Sequence, residues 1–408
     1  MKIAIIGCYY NIESYKCMMD ALSTGGNTVD FFPMLYYYHN DRNNLEKDFV
    51  SFLDGKSSND KIIVNKESSK NPVQVIIWRC YLAPPKIFQI ARERQIINVL
   101  YNCTDPFETM EHNLRSSNLA EILPYFDAVF TTSKKSIEVY GRYGIKHVHH
   151  TTMAIDPLIH KPFDTKIYDA DVSFVLNSLY LDNPHGLDRK KIIDRVARMP
   201  NVRLKIYGPA LLREFYPNNY VEEISYDQSA RVFSSSKINL NTHHVNPKDN
   251  GDSLNERTYQ ILASGGLMLA DIDDDSFLCS DCFIKLDEVN LETQIKDILD
   301  RYDTCSAIRG IKKRAESSSK KFSFKTVMTS ILSQIKKDFF KNNYSPTLSA
   351  VLPSSSIDKK RLLDRYAYQS EIITLIQAIM LIGPSKELFD QMKLLSDIEG
   401  IDINKFVR

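Results

Sequence analysis

The sequence lacks the features that mark membrane-spanning, secreted and nucleic-acid-binding chains. No apolar run reaches the ~20 residues that cross a bilayer, and the longest candidate, IITLIQAIMLIG at 372–383, is interrupted by Gln377. The first strand-like run, MKIAIIG, follows no cleavable leader, so we expect a cytoplasmic protein without a transmembrane segment; a peripheral membrane location stays open. The net charge is +1 and the basic residues are scattered, which argues against a nucleic-acid partner.

Metal and redox motifs are also scarce. The seven cysteines are spread along the chain, and the pair Cys279 and Cys282 has no second pair at zinc-ribbon spacing. His147, His149 and His150 alternate as residues of a strand do, so we assign them no metal. The first strand-like run is not followed by G-x-G-x-x-G, which argues against nicotinamide or flavin. We therefore expect no metal and no cofactor.

Apolar, β-rich runs recur along the chain with helical segments between them. The runs are continuous rather than alternating, which is typical of strands buried on both faces of a parallel sheet. Strand and helix alternate throughout, which predicts parallel sheets wrapped by helices. The predicted strands are 2–7, 28–34, 73–79, 96–102, 127–133 and 147–152, then 171–177, 202–208, 237–243, 267–271 and 282–287.

This pattern predicts an α/β protein with two doubly wound, Rossmann-like domains and a ligand cleft between them. Two prolines interrupt the pattern at 153–163, so we divide the chain into residues 1–155 and 156–342. Residues 343–408 begin with a Pro- and Ser-rich linker and continue as amphipathic helices. We expect this helical extension to pack on the protein's own domains or to form a homo-oligomer.

The segment GDSLNERTYQILASGGLMLAD, residues 251–271, contains a predicted helix between two buried strands. Ser253 and Glu256 have the S-x-x-E spacing of a capping box, and Gly265 and Gly266 are expected to end the helix. Glu256 thus has a structural role available, which we favour over a chemical one.

Arg257 is harder to explain structurally. It lies in the predicted first turn, where the helix dipole is already positive and a cation is unfavourable. Free backbone N–H groups and a guanidinium together make a good diphosphate site, so we predict an anion there. The alternative is an ion pair with Asp249 or Asp252.

The same segment resembles the donor-binding segment of two-domain GT-B glycosyltransferases, in particular the CgeB-like group, whose pattern is N-x-R-x-(F/Y)-E-x-x-A-x-G-G. The positions that match are Asn255, Arg257, Tyr259, Ala263, Gly265 and Gly266. Gln260 stands where the family has a glutamate. In the broader group-one glycosyltransferases this glutamate is the second of an E-x7-E pair and binds the ribose. The position of the first glutamate of that pair is occupied here by Asp252, which the resemblance places at the donor sugar as a catalytic residue. A glutamine can still hydrogen-bond a ribose diol.

The resemblance extends over roughly residues 70 to 290, with weak motifs in the expected order. It is carried by YNCTDPFE (101–108), YFDAVFTTSKKSIEVYGRYGIKHVHH (125–150), AIDPLIHKP (154–162) and DVSFVLNSLYLDNPHGLDRKKIIDRV (171–196).

Four further positions are predicted to belong to the site. Arg189, with its neighbour Lys190, is expected to open a helix and meet the diphosphate; the alternative is a solvated basic helix start. Gly208 ends a strand where a missing Cβ admits a ligand, or else forms a plain turn. Asp105 follows a strand of the first domain, as an acceptor-side acid or base would, or is a turn residue before proline.

We therefore expect a glycosyltransferase that moves a sugar from a nucleotide-diphosphate donor, such as a UDP- or GDP-sugar, to a glycan, protein or small-molecule acceptor. Metal independence and retention of anomeric configuration are implied by the resemblance alone. The alternatives are a non-catalytic nucleotide- or sugar-binding protein on the same scaffold and an epimerase-type enzyme of the same architecture, since a fold does not fix a function.

Overall fold

The computed structural model describes residues 1–7, 13–58, 60–65, 71–79, 83–102, 122–142, 144–164, 167–176, 179, 184–243, 254–272 and 282–341. These residues divide into two units. The first contains Met1–Ala154 together with residues 322–341, and the second contains Ile155–Lys321. The predicted extension 343–408 lies outside the described residues.

The first unit is built on a six-stranded parallel sheet in the order β2-β1-β3-β4-β5-β6. Every predicted strand of this half is present. The strands are β1 (Lys2–Gly7), β2 (Thr28–Pro33), β3 (Val75–Trp78), β4 (Ile97–Asn102), β5 (Ala128–Thr131) and β6 (His147–His150). The helices between them are α1 (Glu13–Ser23), α2 (Met34–Asn40), α3 (Leu45–Leu53), α4 (Pro85–Glu93) and α5 (Lys134–Arg142).

Both faces of this sheet are buried, as its continuous apolar strands predicted. Ala4 and Ile6 of β1 face one core, which includes the stacked rings of Trp78 and Phe88. Ile3 and Ile5 face the other core, formed largely with α1. One strand therefore contributes to two cores, so the side chains on both of its faces have to be apolar.

A late segment of the chain returns to the first unit. Helix α12 (Phe324–Ile335) packs beside α1 on the sheet, and its apolar residues join the core of Ile3 and Ile5. Its N-cap is Ser323, whose side chain accepts from the backbone N–H of Thr326. The domain assignment made from the sequence had placed this segment in the second domain. The position of α12 along the sequence does not reveal its unit, because the helix buries its apolar face on a sheet whose last strand ends more than 170 residues earlier.

The second unit contains a five-stranded parallel sheet in the order β11-β10-β9-β7-β8. All five predicted strands are present: β7 (Val172–Val175), β8 (Leu204–Tyr207), β9 (Ile238–Asn241), β10 (Met268–Ala270) and β11 (Ile284–Lys285). The helices are α6 (Pro184–Ala197), α7 (Leu212–Phe215), α8 (Tyr226–Ser235), α9 (Glu256–Ala263), α10 (Leu291–Arg301) and α11 (Ser306–Ser319). The predicted fold class, two doubly wound α/β sheets, is confirmed.

Across the described part of the chain, no helix has both the length and the apolar character needed to cross a membrane.

Candidate functional site

Polar residues collect where strands β9 and β10 of the second sheet end. Asn241 is the last residue of β9, Thr242 and His243 follow it, and Asp271 follows β10. Since the strands are parallel and hydrogen-bonded neighbours, their carboxyl ends meet at one edge of the sheet. This edge is where open α/β sheets bind ligands.

Asn241 is fully buried and connects this edge to helix α9. Its Nδ2 donates to Oγ1 of Thr258 at 2.8 Å. Its Oδ1 accepts from Nδ2 of Asn255 at 3.0 Å and from Nη1 of Arg257 at 3.3 Å. One amide therefore fixes the first turn of α9 against the end of β9.

Helix α9 lies in the predicted segment but begins at Glu256, two residues later than a Ser253 cap implies. Asn255 has extended backbone geometry and its side chain accepts from the backbone N–H of Thr258 at 3.0 Å, which makes it the N-cap. Ser253 of the predicted capping box lies outside the described residues. Glu256 accepts a hydrogen bond from the hydroxyl of Tyr226 at 3.0 Å, and its predicted bond to the backbone of Ser253 stays a prediction.

Arg257 lies in the first turn of α9 and is half-buried. Its guanidinium carbon lies 4.9 Å from the centroid of the Phe174 ring on β7, in a cation–π contact. The Phe174 ring and the Asn241 amide are both neutral groups, and together they orient the guanidinium at the end of β9. Asp249 and Asp252, the alternative partners, lie outside the described residues.

Arg189 also reaches this edge, by a different route from the one predicted. It is the sixth residue of α6 rather than the helix start, and only 2% of it is exposed. Its Nη2 donates to the carbonyl oxygen of Thr242 at 2.9 Å, just beyond β9. The sequence contained a signal for this position, because Arg189 precedes the buried Ile192 and Ile193 at helical spacing and so lies on the sheet-facing side of α6.

Lys190 is not brought to the same edge. Its Nζ pairs with Asp194 one turn further along α6, at 2.7 Å, and lies 6.0 Å from the centroid of the Tyr216 ring. Adjacent residues of a helix point about 100° apart, so only one of two neighbouring cations can face the sheet.

The sequence analysis missed His243 and Asp271. Nδ1 of His243 lies 2.6 Å from Oδ1 of Asp271, and the backbone N–H of His243 donates to Oδ2 of the same carboxylate at 2.8 Å. Nε2 of His243 and Oγ1 of Thr242 are buried with no hydrogen-bond partner among the described residues. Buried polar atoms are rarely left unsatisfied, so these two atoms indicate a binding surface. The available signal was the polar run Asn-Thr-His-His directly after a buried strand.

Gly208 is required by the packing around it, whatever its part in ligand binding. A Cβ at this position would lie 2.0 Å from the carbonyl oxygen of Leu176 and 2.7 Å from Cδ1 of Leu212. Its φ of +152° is also one that side chains rarely adopt. The missing Cβ therefore lets the ends of β7 and β8 approach each other.

Gly265 and Gly266 end α9, as predicted. Gly265 has φ +66°, and its backbone N–H donates to the carbonyl of Leu262 at 3.1 Å. A Cβ on Gly266 would lie 2.7 Å from Nδ2 of Asn239. Both glycines lie at the opposite end of an eight-residue helix from its first turn, about 12 Å away. The structure explains them by helix termination and packing.

Gln260 lies one turn after Glu256 on the same side of α9 and is buried. It lies near Tyr226, whose hydroxyl donates to Glu256 and whose pKa is raised by desolvation and lowered by Gln260. Gln260 thus belongs to a second polar cluster, beside the one formed by Arg257 and Asn241.

Two predicted catalytic residues, Asp105 and Asp252, lie outside the described residues. Their roles stay predictions, and the metal and cofactor absences expected from the sequence stay predictions as well.

A family model described as glycosyl transferase-like matches residues 189–325, about a third of the chain. The match begins at Arg189 and includes β8–β10 and α9. No curated protein matches the chain by sequence.

Solved glycosyltransferase structures resemble the whole architecture at low sequence identity. A trehalose-6-phosphate synthase aligns with a TM-score of 0.52 at 12% identity. HepE of Anabaena, solved with UDP and glucose, aligns with 0.54 at 10%, and an α-glucosyltransferase solved with UDP and DNA aligns with 0.55 at 12%. Each alignment covers 83% of this chain and 100% of the other. The chain therefore has the two-domain fold of the GT-B glycosyltransferases, and its residues 189–325 carry the glycosyl transferase-like family segment.

Proposed function

We propose that this protein is a glycosyltransferase whose nucleotide-diphosphate sugar binds at the carboxyl edge of the second sheet. The observation that carries the proposal is the placement of Arg257, held by Asn241 and Phe174 in the first turn of α9. A helix N-terminus carries a partial positive charge and backbone donors, and a bidentate guanidinium suits phosphate oxygens. Arg189 adds a second, buried cation at the end of β9.

This arrangement supplies what glycosyl transfer requires of a protein. As the bond between the anomeric carbon and the diphosphate oxygen breaks, negative charge grows on the leaving phosphate. Preformed positive charge in a poorly hydrated site stabilises that charge without reorganisation. The acceptor oxygen then forms the new bond to the anomeric carbon, and its proton passes to a base, the role predicted for Asp105. We extend the proposal to metal-independent transfer with retention, which rests on the family resemblance.

His243 is proposed as a further contact to the donor. Because Asp271 accepts the proton of Nδ1, a neutral imidazole presents Nε2 as an acceptor. A sugar hydroxyl of the donor is the group that this buried nitrogen suits. The carboxylate also bonds the backbone of His243, so the ring has a fixed orientation.

Asn255, Arg257, Arg189 and Gln260 stay in the proposed donor site, with Gln260 as the ribose contact. Lys190, Gly208, Gly265 and Gly266 each have a structural contact of their own, and their part in donor binding stays a prediction.

A non-catalytic nucleotide- or sugar-binding protein is the second candidate. It is favoured by one observation, the D-x7-Q spacing of Asp252 and Gln260 in place of E-x7-E. Both candidates bind the nucleotide sugar, but only the enzyme turns it over, so measuring binding and turnover together distinguishes them.

The test combines calorimetry with a turnover assay on the purified full chain. UDP-, GDP- and ADP-sugars are titrated first, and each donor that binds is then incubated with protein while nucleoside diphosphate release is followed by chromatography. Binding with release supports the enzyme, and binding without release in the presence of an acceptor panel supports the second candidate. If none of these nucleotide sugars binds, both are refuted.

A further inference from the structure

We propose that His147, His149 and Asp338 in the first unit form a binding site for a divalent transition-metal ion, Zn²⁺ in particular. The site is independent of the donor site in the second unit. It joins the edge strand β6 to the segment that follows α12.

The two histidines share one face of β6. Successive strand residues point to opposite faces, so residues 147 and 149 lie on one side and Val148 on the other. The contacts agree with this, because the His149 ring lies 5.1 Å from that of Phe130 and the His147 ring lies 4.9 Å from that of Phe339. Val148 instead packs on the opposite core. A His-x-His strand thus presents two imidazoles side by side.

Asp338 brings its carboxylate to both imidazoles. Its Oδ2 lies 2.7 Å from Nε2 of His149 and 3.6 Å from Nδ1 of His147, and the three atoms all lie within 4.8 Å of one another. In a tetrahedral zinc site with bonds of about 2.0–2.2 Å, ligand atoms are about 3.3 Å apart. Small side-chain rotations therefore convert this cluster into three ligands of one ion.

The surroundings of Asp338 also fit a ligand. Its second oxygen, Oδ1, accepts from Nε2 of Gln334 at 2.8 Å, which leaves Oδ2 directed at the histidines. Metal-bound carboxylates are usually oriented by such an outer hydrogen bond. Asp338 belongs to a π-helical turn, Lys336–Phe340, a form that occurs frequently at functional sites.

Access and chemistry favour zinc. The side chains of His147 and His149 are 29% and 25% exposed, so water can reach a fourth coordination position. Two imidazole nitrogens and one carboxylate suit Zn²⁺, whereas Mg²⁺ and Ca²⁺ prefer oxygen ligands alone.

The ion would fasten together parts of the chain that are far apart in sequence. His149 and Asp338 are separated by 189 residues, and the whole of the second unit lies between them. A cross-link that closes so long a loop restricts the unfolded chain strongly, so metal binding should raise the stability of the first unit.

Zinc binding is measured on the full chain after chelation and dialysis, by competition with a chromogenic chelator. We expect one Zn²⁺ per chain at high affinity, with a loss of at least 100-fold in His149→Gln and in Asp338→Asn. Gln334→Ala removes only the outer hydrogen bond and should weaken binding about 10-fold. His150→Gln is the matched control, because this exposed neighbour on β6 lies on the opposite face, and its affinity should stay within about threefold.

Cobalt substitution gives a readout that needs no variant. Co²⁺ bound by the wild-type chain should give the visible absorption of a four-coordinate ion, and Zn²⁺ should abolish it. Absence of stoichiometric binding in the wild type overturns the proposal. Equal affinity of the wild type, His149→Gln and Asp338→Asn overturns it too, as does a loss in His150→Gln that matches theirs.

Discussion

Replacing Arg257 with alanine tests whether this residue binds the diphosphate or only packs against its neighbours. Among its contacts, the guanidinium donates a long hydrogen bond, 3.3 Å, to the neutral amide of Asn241 and lies 4.9 Å from the centroid of the Phe174 ring. Losing these contacts costs folding stability about 1–2 kcal/mol in total. Losing a charge-assisted contact to a diphosphate costs a further 1.5–3 kcal/mol, but only in the complex. The affinity for UDP or GDP, whichever binds to the wild type, should therefore fall about 10- to 150-fold.

Calorimetry with the nucleoside diphosphate and with the bare nucleoside measures this effect. The nucleoside lacks phosphates, so its affinity should change by less than about twofold in Arg257→Ala. Lys190→Ala is the matched control, because this cation is the neighbour of Arg189 but pairs with Asp194. Equal losses for nucleoside and nucleoside diphosphate would refute the phosphate role and leave Arg257 as a packing residue.

Four further changes test other parts of the second unit. Gly208→Ala forces a Cβ against the carbonyl of Leu176 and should cost about 3 kcal/mol, seen as a fall in Tm of roughly 6–12 °C; an unchanged Tm would contradict this packing. Burial lowers the pKa of His160 to about 4, so the unfolded state alone takes up a proton as pH falls from 6.5 towards 4. About 2 kcal/mol of stability should thus be lost between pH 8 and pH 5, and His160→Gln should flatten that part of the Tm profile relative to the wild type. Gln260→Glu restores the family residue but places a second carboxylate one turn from an existing one, so Tm at pH 8 should fall and recover partly in high salt. His243→Ala should weaken binding of the nucleotide sugar about 10-fold while binding of the nucleoside diphosphate changes little. Equal losses for the two ligands would show that the His243 imidazole does not contact the sugar.

The sequence was sufficient to predict the fold because its strands are buried on both faces. Runs such as residues 2–7 and 171–177 are typical of strands in the interior of a parallel sheet, and alternation with helices favours parallel pairing. The end of α9 before Gly265 was predictable for a local reason, a left-handed glycine, whereas its start was not, because Asn255 rather than Ser253 caps the helix.

The site was less predictable, because it depends on which face of an element each side chain occupies. Arg189 and Lys190 are neighbours in sequence, yet only Arg189 faces the sheet. Gly208 was assigned to a ligand because a missing Cβ in the sequence does not reveal what approaches it. His243 and Asp271 lie 28 residues apart, and their pairing follows only from the adjacency of β9 and β10.

The return of α12 to the first unit has a consequence for synthesis of the chain. Val327, Met328 and Ile331 fill a core whose strands and first helix end before residue 155. At roughly 5–20 residues per second, translation of the intervening segment takes on the order of 10–30 s. During that time the sheet face beneath α12 stays uncovered, while the second unit can already fold as it emerges. The first unit is therefore complete only after residues 155–321 have been made, and its exposed apolar face is where a chaperone would be needed.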